Sequence, residues 1–270
     1  MPKRLQGKVA LITGASSGIG HATAIAFAEA GAHVILTARR QDRLRDLASW
    51  IQRQPAAPEA LAIAGDLLRP EDICGIAASA LAWKGHVDFL VNNAGFGRLR
   101  WLDELEAVHD IEEQIWLGLT SCVLLTRQIL PSMMAQRSGC IINVSSLAGL
   151  LGIPTDSVYS AAKFGLRGFG EALGREVKGL GIHVCTFCPG PVATEFGSHA
   201  GRRAETAVWG ASLWRLSAEP VAQRIVGLAT HPRRLVVWPR TALPIVWLNT
   251  LFPGLMDLLV DHFYVRRIRR

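Results

Sequence analysis

"KVALITGASSGIGHATAIAFAEAGA", residues 8–32, is the stretch on which the fold turns. Its first part, "KVALIT", is a continuous apolar run rather than an alternating one, the pattern of a parallel strand covered on both faces. Its last part, "HATAIAFAEAGA", is alanine-rich and reads as a helix. Between them Gly14, Gly18 and Gly20 are spaced G-x-x-x-G-x-G. Glycine lets the backbone turn sharply and lets an anionic group approach with no side chain in the way. The helix that starts there points free N–H groups and the positive end of its dipole at that group. This strand, turn and helix form a pyrophosphate cradle, with Gly14, Ser16, Ser17, Gly18, Ile19 and Gly20 as the expected cofactor-binding positions.

The same alternation continues along the chain. Strand-like apolar runs follow at "AHVILTA", "ALAIAG", "VDFLVNN", "GCIINVSS" and "GIHVCTFCPG", and residues 235–238 add a last one. Helix-like stretches fall at 18–30, 41–53, 70–83, 104–135 and 157–179. Strands alternating with helices predict an α/β fold, a Rossmann-type doubly wound parallel sheet with right-handed crossovers. The 270 residues show no repeat and no linker, so a single domain over 1–240 is expected, followed by an apolar extension at 241–270.

Half of the residues are hydrophobic and the formal net charge is +7. The basic residues are dispersed rather than interleaved with aromatics in one run, which argues against nucleic acid as a partner. Five cysteines without regular spacing, and no leader before the first strand, point to a reducing, cytoplasmic setting. Cys185 and Cys188 form a C-x-x-C pair, but on a strand they point to opposite faces, so they read as core thiols and no metal site is expected. The apolar run 243–260 is interrupted by Asn249, Pro253, Gly254 and Asp257, a poor membrane-spanning helix. Packing on its own domain or on a second subunit is the first reading. Peripheral membrane contact through 243–270, helped by the basic residues that follow, is the second.

The second strand bears on cofactor choice. It ends "ILTARRQ", and Arg39 falls nineteen residues after Gly20, with no Asp or Glu from 30 to 41. An acid near that position binds the ribose hydroxyls of NAD, whereas an arginine accepts the extra phosphate of NADP. NADP (NADPH) is therefore expected over NAD, with Arg39 as the first ligand and Arg40 as the second.

Six pieces in order, "TGASSGIG" (13–20), "GDLLRP" (65–70), "NNAG" (92–95), "INVSS" (142–146), "YSAAK" (159–163) and "PGPVATE" (189–195), make the chain resemble the short-chain dehydrogenase/reductase family in its one-domain branch. The resemblance implies that Asp66 and Leu67 lie against an adenine ring. It implies that Asn93, Ala94 and Gly95 hold the strand beside the cofactor, and that Pro189, Gly190, Val192 and Thr194 bracket the nicotinamide. It assigns catalysis to Ser146, Tyr159 and Lys163; Ser146 is preferred to Ser145 because it stands thirteen residues before Tyr159. It also implies a homodimer or homotetramer. Tyr159 and Lys163, four apart on a helix, share a face. The ammonium is expected to lower the phenol's pKa from about 10 toward the working range.

One position departs from the family pattern. The asparagine expected in the helix after "NNAG" is Gly118 here, and residues 96–142 contain no other asparagine. Either the space left holds an extra water and proton relay continues, or the chain binds nucleotide with weakened catalysis as a scaffold or regulator; a glycine there also suits close packing. The segment 195–218, with Trp209 and Trp214, is expected to form a lid over an apolar carbonyl or alcohol substrate.

Overall fold

The computed structural model describes residues 4–54, 58–200 and 216–268. Seven strands form one parallel sheet in the order β3-β2-β1-β4-β5-β6-β7. They are β1 (Val9–Thr13), β2 (His33–Ala38), β3 (Ala60–Ala64), β4 (Phe89–Asn92), β5 (Gly139–Val144), β6 (Ile182–Pro189) and β7 (Leu235–Trp238). Leu11 registers against Ile35 of β2 on one side and Leu90 of β4 on the other. All five residues of β1 are buried, as its uninterrupted apolar run requires. Helices cover both faces, so the expected doubly wound, Rossmann-type sheet is present. One core cluster gathers Ile12, Phe27, Leu36, Val91 and Phe187, and a second gathers Leu11, Ile35, Leu90, Leu125 and Ile141.

Helices α1 (Gly18–Glu29), α2 (Gln41–Gln52) and α3 (Pro70–Lys84) match the sequence reading within one or two residues. The expected helix 104–135 needs correction. It begins at Ala107, where the Glu106 side chain accepts hydrogen bonds from the N–H groups of Val108 and His109, a cap that spacing alone did not show. It also contains two π-helical turns, Ala107–Glu112 and Trp116–Thr120, before it continues as α-helix from Ser121 to Gln136. The helix bearing Tyr159 runs from Ser157 to Glu176.

The extension beyond β7 forms two short helices, Leu243–Leu251 and Pro253–Val260, followed by a π-helical turn Asp261–Val265. Of the five free cysteines only Cys74 is exposed. Cys185 belongs to the first core cluster, whereas Cys188 packs with Leu147 and Val237 in a third, as opposite strand faces demand.

Candidate active site

The strand order reverses between β1 and β4, and chains diverging there leave a crevice at the carboxyl ends of the strands. A cavity of about 1410 Å³ opens at that place. Ser146, Tyr159, Lys163 and every expected cofactor position except Gly20 line it.

The glycine turn has the conformation its sequence implies. Gly14 (φ +68°) and Gly18 (φ +56°) occupy the left-handed region. A Cβ on Gly14 would lie 2.9 Å from Asn93 Nδ2. Gly20 plays a different part from the one expected: it is buried behind the turn, where a Cβ would run into the Gly14 carbonyl oxygen. It allows α1 to close onto the end of β1. Thr13, which sequence reading missed, ties β1 to the loop after β4. Its Oγ1 accepts hydrogen bonds from the N–H groups of Asn93 and Ala94, both at 2.9 Å, while Asn93 Nδ2 donates to the Thr13 carbonyl.

The two arginines differ. Arg40 is engaged: Nη2 donates to Ser17 Oγ at 2.8 Å and Ser16 Oγ at 3.0 Å, and Nη1 to Glu195 at 3.0 Å. Arg43 donates to the other oxygen of Glu195 at 2.8 Å. Hydrogen bonds from Arg43 and Arg40 hold the Glu195 carboxyl down at about 2. Arg39 is exposed at the cavity edge and makes no hydrogen bond or ion pair among the described residues. Asp66 accepts from the Leu68 N–H at 3.0 Å, which orders the turn that brings Asp66 and Leu67 to the cavity.

Ser145 and Ser146 part as the spacing implied. Ser145 is buried and donates to the Lys163 carbonyl at 3.1 Å. Ser146 is half-buried, accepts from the Ala148 N–H at 3.1 Å and lies beside Tyr159 on the cavity wall. The Lys163 ammonium is 5.7 Å from the centre of the Tyr159 ring and donates to the Val144 carbonyl at 3.0 Å. A Cβ on Gly95 would lie 3.4 Å from it, so the small residue of "NNAG" leaves room for the ammonium. Phe196 packs its ring 5.5 Å from that of Tyr159.

The expected effect of Lys163 on Tyr159 is corrected by this geometry. Desolvation pushes the Tyr159 phenol well up, the Asp156 carboxylate adds to the rise, and the Ser146 hydroxyl acts against both. Lys163 is not among the groups that shift it. The ammonium is only 3% exposed, its own pKa is lowered by burial, and it is directed at Val144. Shared helical spacing placed the two side chains correctly, but burial outweighs their mutual field.

Gly118 is buried in the second π-helical turn, and a Cβ there would lie 3.0 Å from Ala162 Cβ on the Tyr159 helix. Among the described residues, Ala162 Cβ is the one heavy atom beyond its own helix that such a Cβ would meet within 4 Å, so a side chain here requires the Tyr159 helix to give by a few tenths of an ångström. The glycine lets two helices approach closely. Gly118→Asn is therefore expected to cost about 1–3 kcal/mol of stability from overpacking, without a gain in turnover. Thermal unfolding of Gly118→Asn and of Gly118→Asn with Ala162→Gly checks this: the second change should recover part of the loss.

Of the expected lid, residues 201–215, with Arg202, Arg203, Trp209 and Trp214, lie outside the described residues. The extension supplies a wall that sequence reading did not foresee. Pro244, Ile245, Leu248, Met256, Leu259 and Phe263 line the cavity. Tyr264 hydrogen-bonds Thr155 Oγ1 at 3.0 Å, and Thr155 is held at φ +69°, four residues before Tyr159. The reading of the extension as packed on its own domain thus holds for one of its faces.

The short chain dehydrogenase family model matches residues 8–204, and the chain belongs to that family. A short chain dehydrogenase of Pseudocercospora fijiensis is 38% identical over 201 residues, covering 72% of this chain. The chain spans only 63% of that relative's length. Dehydrogenase/reductase SDR family member 7B of Danio rerio is 34% identical over 93% of this chain and 84% of that protein. The solved short-chain dehydrogenase from Sphingobium yanoikuyae in complex with NADPH is 27% identical, with a TM-score of 0.80 over 93% of this chain and 95% of that one.

Proposed function

We propose that the chain is an NADP(H)-dependent oxidoreductase that interconverts a carbonyl and a secondary alcohol on an apolar small molecule. The observation that carries this reading is the pair of hydroxyls, Ser146 and Tyr159, on one cavity wall with the Lys163 ammonium buried beside them. The residues present fit a nicotinamide dinucleotide: Gly14 and Gly18 keep the turn clear of side chains, and α1 opens onto it. Bound there, such a group supplies or accepts the hydride.

The chain's own residues do the remaining work. Ser146 donates a hydrogen bond to the substrate oxygen as negative charge gathers on it. Tyr159, whose phenol is held protonated, passes its proton to that oxygen in reduction and takes it back in oxidation. Lys163, buried at the cavity wall and donating to the Val144 carbonyl, is placed to hold the ribose hydroxyls of the dinucleotide. The cavity exceeds the roughly 300–1,000 Å³ typical of one small ligand, which suits a dinucleotide and a substrate together. Leu151, Ile153, Ile245, Leu248, Met256 and Phe263 give it an apolar end. Self-association into a homodimer or homotetramer belongs to the same proposal, through the long helices that leave Met134 and Phe164 exposed.

The test is oxidation of NADPH and NADH, followed by absorbance, against a panel of apolar ketones and aldehydes. Turnover with NADPH supports the reading; turnover favouring NADH would remove Arg39 as the phosphate ligand. Because Arg40 is occupied by Ser16, Ser17 and Glu195, the extra phosphate falls to Arg39. Arg39→Ala is expected to raise KM for NADPH about 10–100-fold, the size of one or two charge-assisted hydrogen bonds, and to leave KM for NADH unchanged.

A further inference from the structure

We propose that the outer face of the C-terminal helix pair docks on the surface of an anionic lipid bilayer. Trp247, Leu251, Phe252 and Leu258 are 61%, 69%, 58% and 68% exposed, and Leu255 stands among them. No other part of the described chain leaves so many large apolar side chains in water within so short a segment. Their neighbours Leu248, Met256 and Leu259 face the cavity, so the two helices are apolar on both sides. A helix that is apolar on its solvent side needs a second apolar surface to cover it.

The geometry selects lying on a membrane rather than crossing one. Among the described residues no single helix is long and apolar enough to cross, and the pair is bent by 113° at Phe252. Nine residues of helix rise about 14 Å, against a hydrocarbon core of about 30 Å. The bend presents a blunt apolar wedge of a depth suited to the interface, with Trp247 as an amphipathic anchor.

Charge selects the occupant. Residues 240–270 hold five arginines, Arg240, Arg266, Arg267, Arg269 and Arg270, against two aspartates. Asp261 is already bound to Arg266 at 2.7 Å. An anionic surface neutralises this excess of positive charge, whereas two copies paired through the same patch would bring like charges together. The proposal rests on residues outside the cavity and stands independently of the reaction assigned above.

Co-sedimentation of the full chain with vesicles tests it, using phosphatidylcholine alone and phosphatidylcholine mixed with phosphatidylserine. The wild type is expected to pellet with the mixed vesicles, less with phosphatidylcholine alone, and less at high salt. The triple substitution Trp247→Glu, Leu251→Glu, Leu258→Glu should lower partitioning at least about 100-fold. Arg240→Glu with Arg267→Glu, which leaves the apolar face intact, should lower it about tenfold or more and guards against a folding defect in the triple variant. A wild type that stays in the supernatant, or variants that pellet as well as it does, overturns the proposal. So does a wild-type oligomer that the triple substitution splits while neither form binds vesicles, since a second copy then covers the face.

Discussion

Tyr159→Phe is expected to lower kcat by about 10²–10⁴-fold while NADPH binding stays at its wild-type strength. The substitution removes one hydroxyl and keeps the ring that packs against Phe196 at 5.5 Å and lies 5.7 Å from the Lys163 ammonium. Lys163 keeps its hydrogen bond to the Val144 carbonyl, and Ser146 keeps its place. What is lost is the proton donor. Steady-state kinetics and fluorescence titration with NADPH separate the two quantities, and a variant that turns over like the wild type would end the catalytic assignment. The direction of the Tyr159 shift adds a pH signature. Because the phenol is pushed above its ordinary value of about 10, the donor stays protonated through neutral and mildly alkaline solution. Reduction should be flat across that range, and oxidation, which needs the phenolate, should rise with pH. A reduction rate that falls across neutral pH would contradict Tyr159 as the donor.

Gly20→Ala is the second large effect. The added Cβ meets the Gly14 carbonyl and comes within 2.6 Å of Asn93 Nδ2. Neither neighbour can retreat cheaply. Gly14 is set in a left-handed conformation, and Asn93 Nδ2 is already donating to the Thr13 carbonyl at 2.9 Å. The helix must move off the strand, which costs about 1–3 kcal/mol or more. It also displaces the N–H groups that face a pyrophosphate, and a misplacement of about 1 Å can cost about 100-fold. Both a lowered unfolding temperature and lost dinucleotide binding are expected. Binding at wild-type strength would show that the turn does not depend on this contact.

What sequence could show and what it could not follow one physical division. Residues 8–32 were decisive because apolar continuity and glycine spacing are local properties, and the sheet order then follows from the alternation of strands and helices. Ser146, Tyr159 and Lys163 were legible by spacing, and the structure brings all three to one wall. Arg43 and Glu195 were not, because 152 residues separate the partners and only the fold joins them. The direction of the Tyr159 shift was misread because spacing sets distance but carries no information on desolvation. Gly118 read either as a missing functional group or as a close-packing position, and only the fold names Ala162 on another helix as its neighbour. The cavity wall at Ile245, Leu248 and Met256 was hidden for the same reason: an apolar run does not say which of its faces finds a partner.

That wall has a consequence for how this chain can change. Among the described residues, the two large core clusters, which unite the sheet with its flanking helices, contain none beyond Trp238. The extension meets the rest of the chain at a small satellite cluster that takes in Ala242, Leu243 and Val246, and at the Thr155–Tyr264 hydrogen bond. Shape selection for the ligand and endurance of the scaffold are thus written in separate stretches of the chain. Mutational drift past Trp238 can reshape the chamber while the frame that positions Tyr159 keeps its stability.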